Sequence, residues 1–167
     1  MEQAREVVVD ADGHVCEPPD LWATRLPSRL RERALRLRWN ADTGHDEAWV
    51  EDWVITDRGL VGLGNAGTSF ADLGRGRRYA DGHRGGFDGR ARLEVLDAEG
   101  IDVAVLYPGL GLSLGAIHDP ELAVASCRVY NDWIAEYCAP DRDRLVGVFA
   151  AAAGSGRGGA RGPPRRE

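Results

Sequence analysis

The sequence predicts an α/β protein built on a parallel sheet, and three stretches carry that prediction. VVVDADGHVCEPPDLW, from Val7 to Trp22, opens with β-branched residues; IDVAVLY, Ile101 to Tyr107, is a short apolar run closed by Pro108 and Gly109; LVGVFA, Leu145 to Ala150, is another. Short apolar runs without polar alternation read as strands covered on both faces. A helical pattern precedes the second run and another precedes the third. Strand, helix, strand, helix, strand is the signature of parallel strands joined by crossovers.

The first strand is expected to hold Val7, Val8 and Val9 in a core covered on both faces. Asp10, Asp12 and His14 follow at a period of two. In an extended backbone residues two apart share a side, so Asp12 and His14 can converge on one ion while Ala11 and Gly13 face away. Aspartate oxygen and histidine nitrogen are both ligands for a divalent ion such as Zn²⁺, and Gly13 leaves space for a close approach. The same residues also read as a strand leaving its core, its polar side chains marking where solvent begins. They do not make an EF-hand: counted from Asp10, the sixth and twelfth positions, which that loop fills with Gly and Glu, hold Val15 and Leu21.

Beyond Pro18 and Pro19, residues 20–37 place Leu21, Leu26, Leu30 and Leu35 in an arginine-rich text and predict one short helix with a solvated face. Leu35 to Leu63 changes to alternation, with Leu35, Leu37 and Trp39, then Trp53 and Ile55, then Leu60 and Val61, and with turn signals in ADTGHD and TDRG. This predicts a small β meander after the first strand. Trp39, Trp49 and Trp53 read as packing residues. Residues 67–89 are dense in Gly, Arg and Asp and predict a long loop. Arg90 to Glu99 reads as a helix with Leu93, Val95 and Leu96 inward and Gly100 where left-handed backbone is needed. Asp119 as N-cap with Pro120 at N1 opens a helix to about Cys138. Its inner stripe is Leu122, Ser126, Val129, Tyr130, Trp133, Ile134 and Tyr137; Asn131 and Asp132 lie beside it as surface or capping residues.

Two short motifs lead elsewhere and are set aside. Gly62, Gly64 and Gly67 spell G-x-G-x-x-G, but no helical stripe follows to make a dinucleotide fold. Gly111, Ser113 and Gly115 spell G-x-S-x-G, but Pro108 and Gly109 end the strand too early for a nucleophile elbow, and the only histidine beyond Ser113 is His118. Hydrophobic content of 43%, charged content of 29% and a net charge of -6 exclude a broad basic face for nucleic acid. Every one of the 21 cationic residues is Arg. Cys16, Cys127 and Cys138 are odd in number and follow no C-x-x-C spacing, which predicts reduced thiols. No run approaches the roughly 18 apolar residues of a membrane span, and MEQAREVVVD lacks a signal-peptide pattern. The expected place is the cytoplasm, with neither membrane nor nucleic acid as partner.

DADGHVCEPPDLW, RLEVLDAEGIDVAVLYP and YNDWIAEYCAPDRDRLVGVFA together resemble the amidohydrolase-related family that includes aminocarboxymuconate semialdehyde decarboxylase. The resemblance runs from Val7 to about Ala151. It implies the N-terminal portion of a TIM (β/α)₈ barrel with a divalent metal, usually Zn²⁺, at the C-terminal ends of its strands. It also implies hydrolysis of C–N or C–O bonds, or non-oxidative decarboxylation, of a small carboxylate or a cyclic amide or ester. The family's first metal pair, commonly His-x-His, falls on Asp12 and His14, with oxygen where nitrogen is usual. Glu17 matches the branch with Glu-Pro after the histidine, and it is expected beside the site, with Asp10, as an acceptor for a neighbouring group, an arginine partner or a substrate contact. The family's later histidines and its last aspartate have no counterpart here.

A closed barrel of this type takes about 250 residues. The reading is therefore a partial barrel domain over residues 1–153, with an insertion at about 20–89, and sheet edges open to association with another chain. Residues 154–167, rich in Gly, Arg, Ala and Pro, read as a disordered tail of the composition an out-of-frame GC-rich gene would give. A chain cut short in this way would be inactive by itself, at most a binding or assembly module.

Overall fold

The computed structural model describes residues 5–56, 69 and 78–152. The G-x-G-x-x-G glycines, the Leu60 and Val61 end of the expected meander, residues 70–77 of the Gly- and Arg-rich stretch, and residues 154–167 lie outside the described residues; the described part of that stretch is not the expected continuous loop but holds a 3₁₀ turn, Tyr79–Asp81, and a short helix, Arg84–Phe87. Among those described, the strands form two three-stranded sheets. One is parallel: β1 (Val9–His14) and β6 (Leu145–Gly147) flank a central β5 (Val103–Tyr107). The other is antiparallel, with β2 (Arg36–Asn40), β3 (His45–Val50) and β4 (Trp53–Thr56) in sequential order.

In the parallel sheet Val9 stands opposite Val103, His14 opposite Tyr107 and Ala104 opposite Leu145. The last residues of the three strands therefore lie along one rim. β5 alternates as a central strand should, with Ala104 and Leu106 fully buried between half-buried neighbours. Val7, Val8 and Val9 do not follow the expectation of a core covered on both faces: they are exposed. The reason is position. Among the described residues β1 is an edge strand with β5 as its one neighbour, so the β-branched run lacks the covering that a central strand receives.

The helices account for the rest of the core. The single helix expected over residues 20–37 is two, α1 (Leu21–Arg25) and α2 (Ser28–Arg31). Pro27 divides them, because the residue before a proline is driven out of helical backbone and Leu26 sits at φ -70°, ψ 154°. After α3 (Arg84–Phe87), Asp88 caps α4 (Gly89–Glu99) by accepting from Ala91 N at 2.8 Å. Gly100 ends that helix at φ 71°, in the left-handed region that a side chain disfavours. Asp119 caps α5 (Pro120–Tyr137) through the amides of Glu121 and Leu122, and the expected stripe faces inward, with Val129 only half-buried.

The N-terminal helices and α5 are tied together. Trp22, almost fully buried, donates its indole N–H to Ser126 O at 3.1 Å, and Arg25 meets Glu136 through two hydrogen bonds. The antiparallel sheet reaches α5 through Arg33, which bridges Glu51 and the cap residue Asp119. β6 is shorter than the six-residue run suggests. Beyond Gly147 the chain is held by single contacts: Val148 N to Leu106 O at 2.9 Å, Tyr130 hydroxyl to Val148 O at 3.0 Å, and the Asn131 side-chain amide to both polar backbone groups of Ala150. Asn131 thus pins the chain that leaves the sheet. No helix among the described residues is long and apolar enough to cross a membrane, and the three cysteines are buried and outside any disulfide.

Candidate functional site

The rim where the parallel strands end carries the polar residues singled out in the first strand. β1 does not run straight to it. Its register with β5 slips between Asp10 and Gly13, and such an irregularity bends a strand and re-aims its side chains. Asp10 stabilises the slip by accepting from Asp12 N at 3.2 Å. Its other carboxylate oxygen lies where a Cβ on residue 13 would stand, 2.9 Å away, with Leu106 and Val105 O also within 3.2 Å. Gly13 thus faces protein: the space it leaves is occupied by Asp10 and β5.

Across the slip, Asp12 and His14 come together, Oδ1 of one 4.0 Å from Nε2 of the other. Asp12 is almost wholly in solvent, its side chain 93% exposed, and His14 is about one-third exposed. The imidazole is not free to turn. Its Nδ1 lies 2.8 Å from Pro108 O, and since a carbonyl oxygen only accepts, Nδ1 is the protonated nitrogen. In the neutral ring the lone pair then sits on Nε2, facing Asp12. The backbone oxygen of His14 accepts from Arg92 on α4, and Arg92 is steadied by the Tyr137 hydroxyl at 3.4 Å. His14 is fixed at both ends by groups that composition and spacing do not single out.

Glu17 lies deeper. It is fully buried, and its partners are backbone amides rather than an arginine: Gly109 N at 3.1 Å and Gly111 N at 3.0 Å on Oε1, Leu110 N at 2.7 Å on Oε2. Three successive N–H groups converging on one carboxylate form an anion-holding nest, here filled from within the protein. Burial pushes the Glu17 carboxyl up to about 7, against the pull of those donors. Burial likewise drives up the neighbouring Cys16 thiol, to about 11, and the Tyr79 phenol. Glycine is needed in the nest: a Cβ at Gly109 would stand 2.3 Å from Val15 O, and one at Gly111 2.9 Å from Glu17 Oε1.

Other candidates lie apart from the pair. His118 stacks on Trp53 at 5.4 Å and approaches Glu51 at 3.9 Å, which places it with the antiparallel sheet. Ser113 falls within a 3₁₀ run, Leu110–Ala116, and not at a strand-to-helix elbow. Among the described residues no group of three or more His, Cys, Asp or Glu side chains could hold a metal ion. Sequence reasoning missed Pro108 O, the three amides after it and Arg92. The signal for the first four was the Pro-Gly pair at the end of β5, which marks a loop whose backbone is open to side-chain partners.

No protein-family model matches the chain, and no curated protein matches it. Among solved structures, an amidohydrolase from Mycobacterium avium subsp. paratuberculosis K-10 is similar at 24% identity with a TM-score of 0.62, over 87% of this chain and 43% of that one. The chain shares its fold with part of that structure. At that identity the likeness speaks for architecture, a parallel sheet with helices of the TIM-barrel kind, and this chain spans less than half the length of that relative.

Proposed function

We propose that this chain carries the first metal ligands of an amidohydrolase-type domain, with Asp12 and His14 as donors to a divalent ion, Zn²⁺ by the chemistry of the pair. The observation that carries the reading is the state of His14. A histidine that ligates through Nε2 characteristically gives its other N–H to a backbone carbonyl or carboxylate, and His14 gives Nδ1–H to Pro108 O. The donor set fits an ion in part: ligands at about 2.0–2.2 Å from a common zinc stand somewhat closer together than the 4.0 Å between Asp12 and His14, a gap that one turn of the exposed Asp12 side chain can close. A catalytic zinc takes three protein ligands and one open position, so in this reading further donors come from outside the described residues.

The ion, when bound, supplies Lewis-acid polarisation of a substrate carbonyl or carboxyl group. The chain's own residues hold and orient: Pro108 O sets the imidazole tautomer, Arg92 fixes the backbone of His14, and Asp12 brings negative charge to an otherwise open rim. The reaction class is hydrolysis or non-oxidative decarboxylation of a small carboxylate or a cyclic amide or ester. The three parallel strands are one arc of a barrel whose further strands would cover the exposed valines of β1, and the antiparallel sheet is an insertion after the first strand. A zinc titration of the purified chain, followed by the imidazole resonances of His14, tests the metal site. Zinc should shift them in the wild type, less in Asp12→Asn, and His14→Ala should abolish binding; zinc uptake that ignores His14→Ala overturns the reading.

A second reading, a non-catalytic binding or assembly module, is favoured by the two-donor limit among the described residues. It predicts weak zinc binding with no turnover of carboxylated or cyclic amide substrates, whatever the metal loading.

A further inference from the structure

The geometry points to Glu17 as the positioning residue for His14, acting through the loop that follows β5. The link runs through four consecutive residues. Pro108 O accepts the Nδ1–H of His14 at 2.8 Å, and the next three residues, Gly109, Leu110 and Gly111, give their amides to the Glu17 carboxylate at 3.1, 2.7 and 3.0 Å. The orientation of the Pro108 carbonyl is set by the peptide plane it shares with Gly109 N, and that N–H is one of the three Glu17 holds. Turning the plane to release His14 would therefore break a buried hydrogen bond on its other side.

The loop packs closely against its surroundings. A Cβ at Gly109 would meet Val15 O at 2.3 Å, and one at Gly111 would meet both Glu17 and Pro108 at 2.9 Å. The backbone has thus been drawn against the chain that joins His14 to Glu17. Val15 N donates to Tyr107 O at 3.0 Å, clamping that chain to the end of β5. Glu17 sits three residues beyond His14 and touches no solvent. It has no route to a bound substrate, so its influence on the rim passes through Pro108.

Glu17 is an unusual choice for a purely structural acceptor. A buried carboxylate carries a desolvation cost that a neutral side chain avoids, and the nest needs an acceptor with lone pairs on two oxygens. Glutamine can satisfy Gly109 and Gly111 through its oxygen, but its NH₂ group then faces the Leu110 N–H, donor against donor. The loop in Glu17→Gln should remain folded but loosened at the peptide that aims at His14.

This inference rests on the proposed metal site for its purpose, not for its observation, since the tautomer of His14 can be read without metal. The experiment is a long-range ¹H–¹⁵N imidazole spectrum of the full chain, at a pH above the ordinary imidazole range of about 6.5. The wild type should show His14 as the Nδ1–H tautomer. In Glu17→Gln the ratio of Nδ1–H to Nε2–H should fall about fivefold, the factor that a hydrogen bond worth about 1 kcal/mol would sustain. Gly111→Ala, which keeps the glutamate but presses a Cβ against both its carboxylate and Pro108, should move His14 the same way and decides the matter if Glu17→Gln does not fold. A wild-type His14 in the Nε2–H form, or a tautomer unchanged while the amides of 109–111 shift, overturns the inference. Zinc titration of the same samples keeps the two readings apart. Affinity falling about ten- to hundredfold in Glu17→Gln supports both, and a wild type blind to zinc removes the metal reading but leaves the tautomer result standing.

Discussion

The two ends of β1 invert the usual relation between polarity and burial. At the N-terminal end Val7, Val8 and Val9 are 68%, 48% and 51% exposed; just past the C-terminal end Glu17 is 0% exposed. Hydropathy ranks these residues the other way round. What decides is the neighbourhood. Among the described residues the valines lie at a sheet edge with β5 on one side only, whereas Glu17 is enclosed by the loop after β5 and finds a donor for each oxygen. Apolar residues need a covering layer to be buried, and a polar one can be buried where each of its oxygens finds a donor.

The largest effect should come from emptying the buried end. Glu17→Ala leaves three amides without an acceptor away from water, each costing on the order of 1–3 kcal/mol. Denaturant unfolding should show a loss of about 3 kcal/mol or more, and a loss below about 1 kcal/mol would mean that the loop re-pairs its amides elsewhere. Gly109→Ala attacks the same end from the opposite side. Its Cβ would meet a backbone oxygen at 2.3 Å, an obstacle that cannot rotate away. Overpacking of this kind costs about 1–3 kcal/mol, and the amide resonances of residues 109–111 should report it by shifting together.

The same contrast shows which features were legible in the sequence. Caps were: Asp119 with Pro120, and Gly100 after Glu99, follow from which residues satisfy or terminate a helix, and the structure places both there. The parallel strands were legible as short apolar runs. Their exposure was not, because a run of valines reads alike at an edge and in a closed barrel. Leu26-Pro27 breaking the first helix was readable from proline sterics and was overridden by a leucine spacing that looked continuous. At the site, alternation put Asp12 and His14 on one side, and they meet at 4.0 Å, although the strand slips between Asp10 and Gly13. Asp10 could not be separated from them by spacing, since its place depends on a hydrogen bond two residues along the chain. The acceptor of His14 is a backbone carbonyl, and backbone groups leave no letter in a sequence.

The buried end should also show itself in the pH dependence of stability. Burial raises the Glu17 carboxyl to about 7 in the folded chain, from an ordinary value of 4.5. Between those values the folded state holds a proton that the unfolded state has released. The stability from this group is therefore full below pH 4.5 and is lost as pH rises to about 7, by at most about 1.4 kcal/mol per pH unit. Subtracting the profile of Glu17→Gln from that of the wild type isolates the contribution. A difference profile that is flat from pH 4.5 to 7 would mean that the three amides outweigh desolvation and keep the carboxylate ionised throughout.

The sharpest comparison makes one substitution at both ends. Val15 is fully buried next to the loop, and Val8 is half in water. Threonine keeps the shape of valine and replaces a methyl by a hydroxyl, so the change isolates what surrounds each position. At Val15 the hydroxyl loses water among apolar neighbours, and Val15→Thr should cost about 1–3 kcal/mol. At Val8 solvent receives the hydroxyl, the backbone keeps its hydrogen bonds with residues 102 and 103, and threonine suits a strand as well as valine does. Val8→Thr should therefore stay within about 0.5 kcal/mol of the wild type. A Val8→Thr loss near that of Val15→Thr would show that in solution the valine end is covered, by a second copy of the chain or by another partner, and the two ends of β1 would then differ in what covers them rather than in whether they are covered.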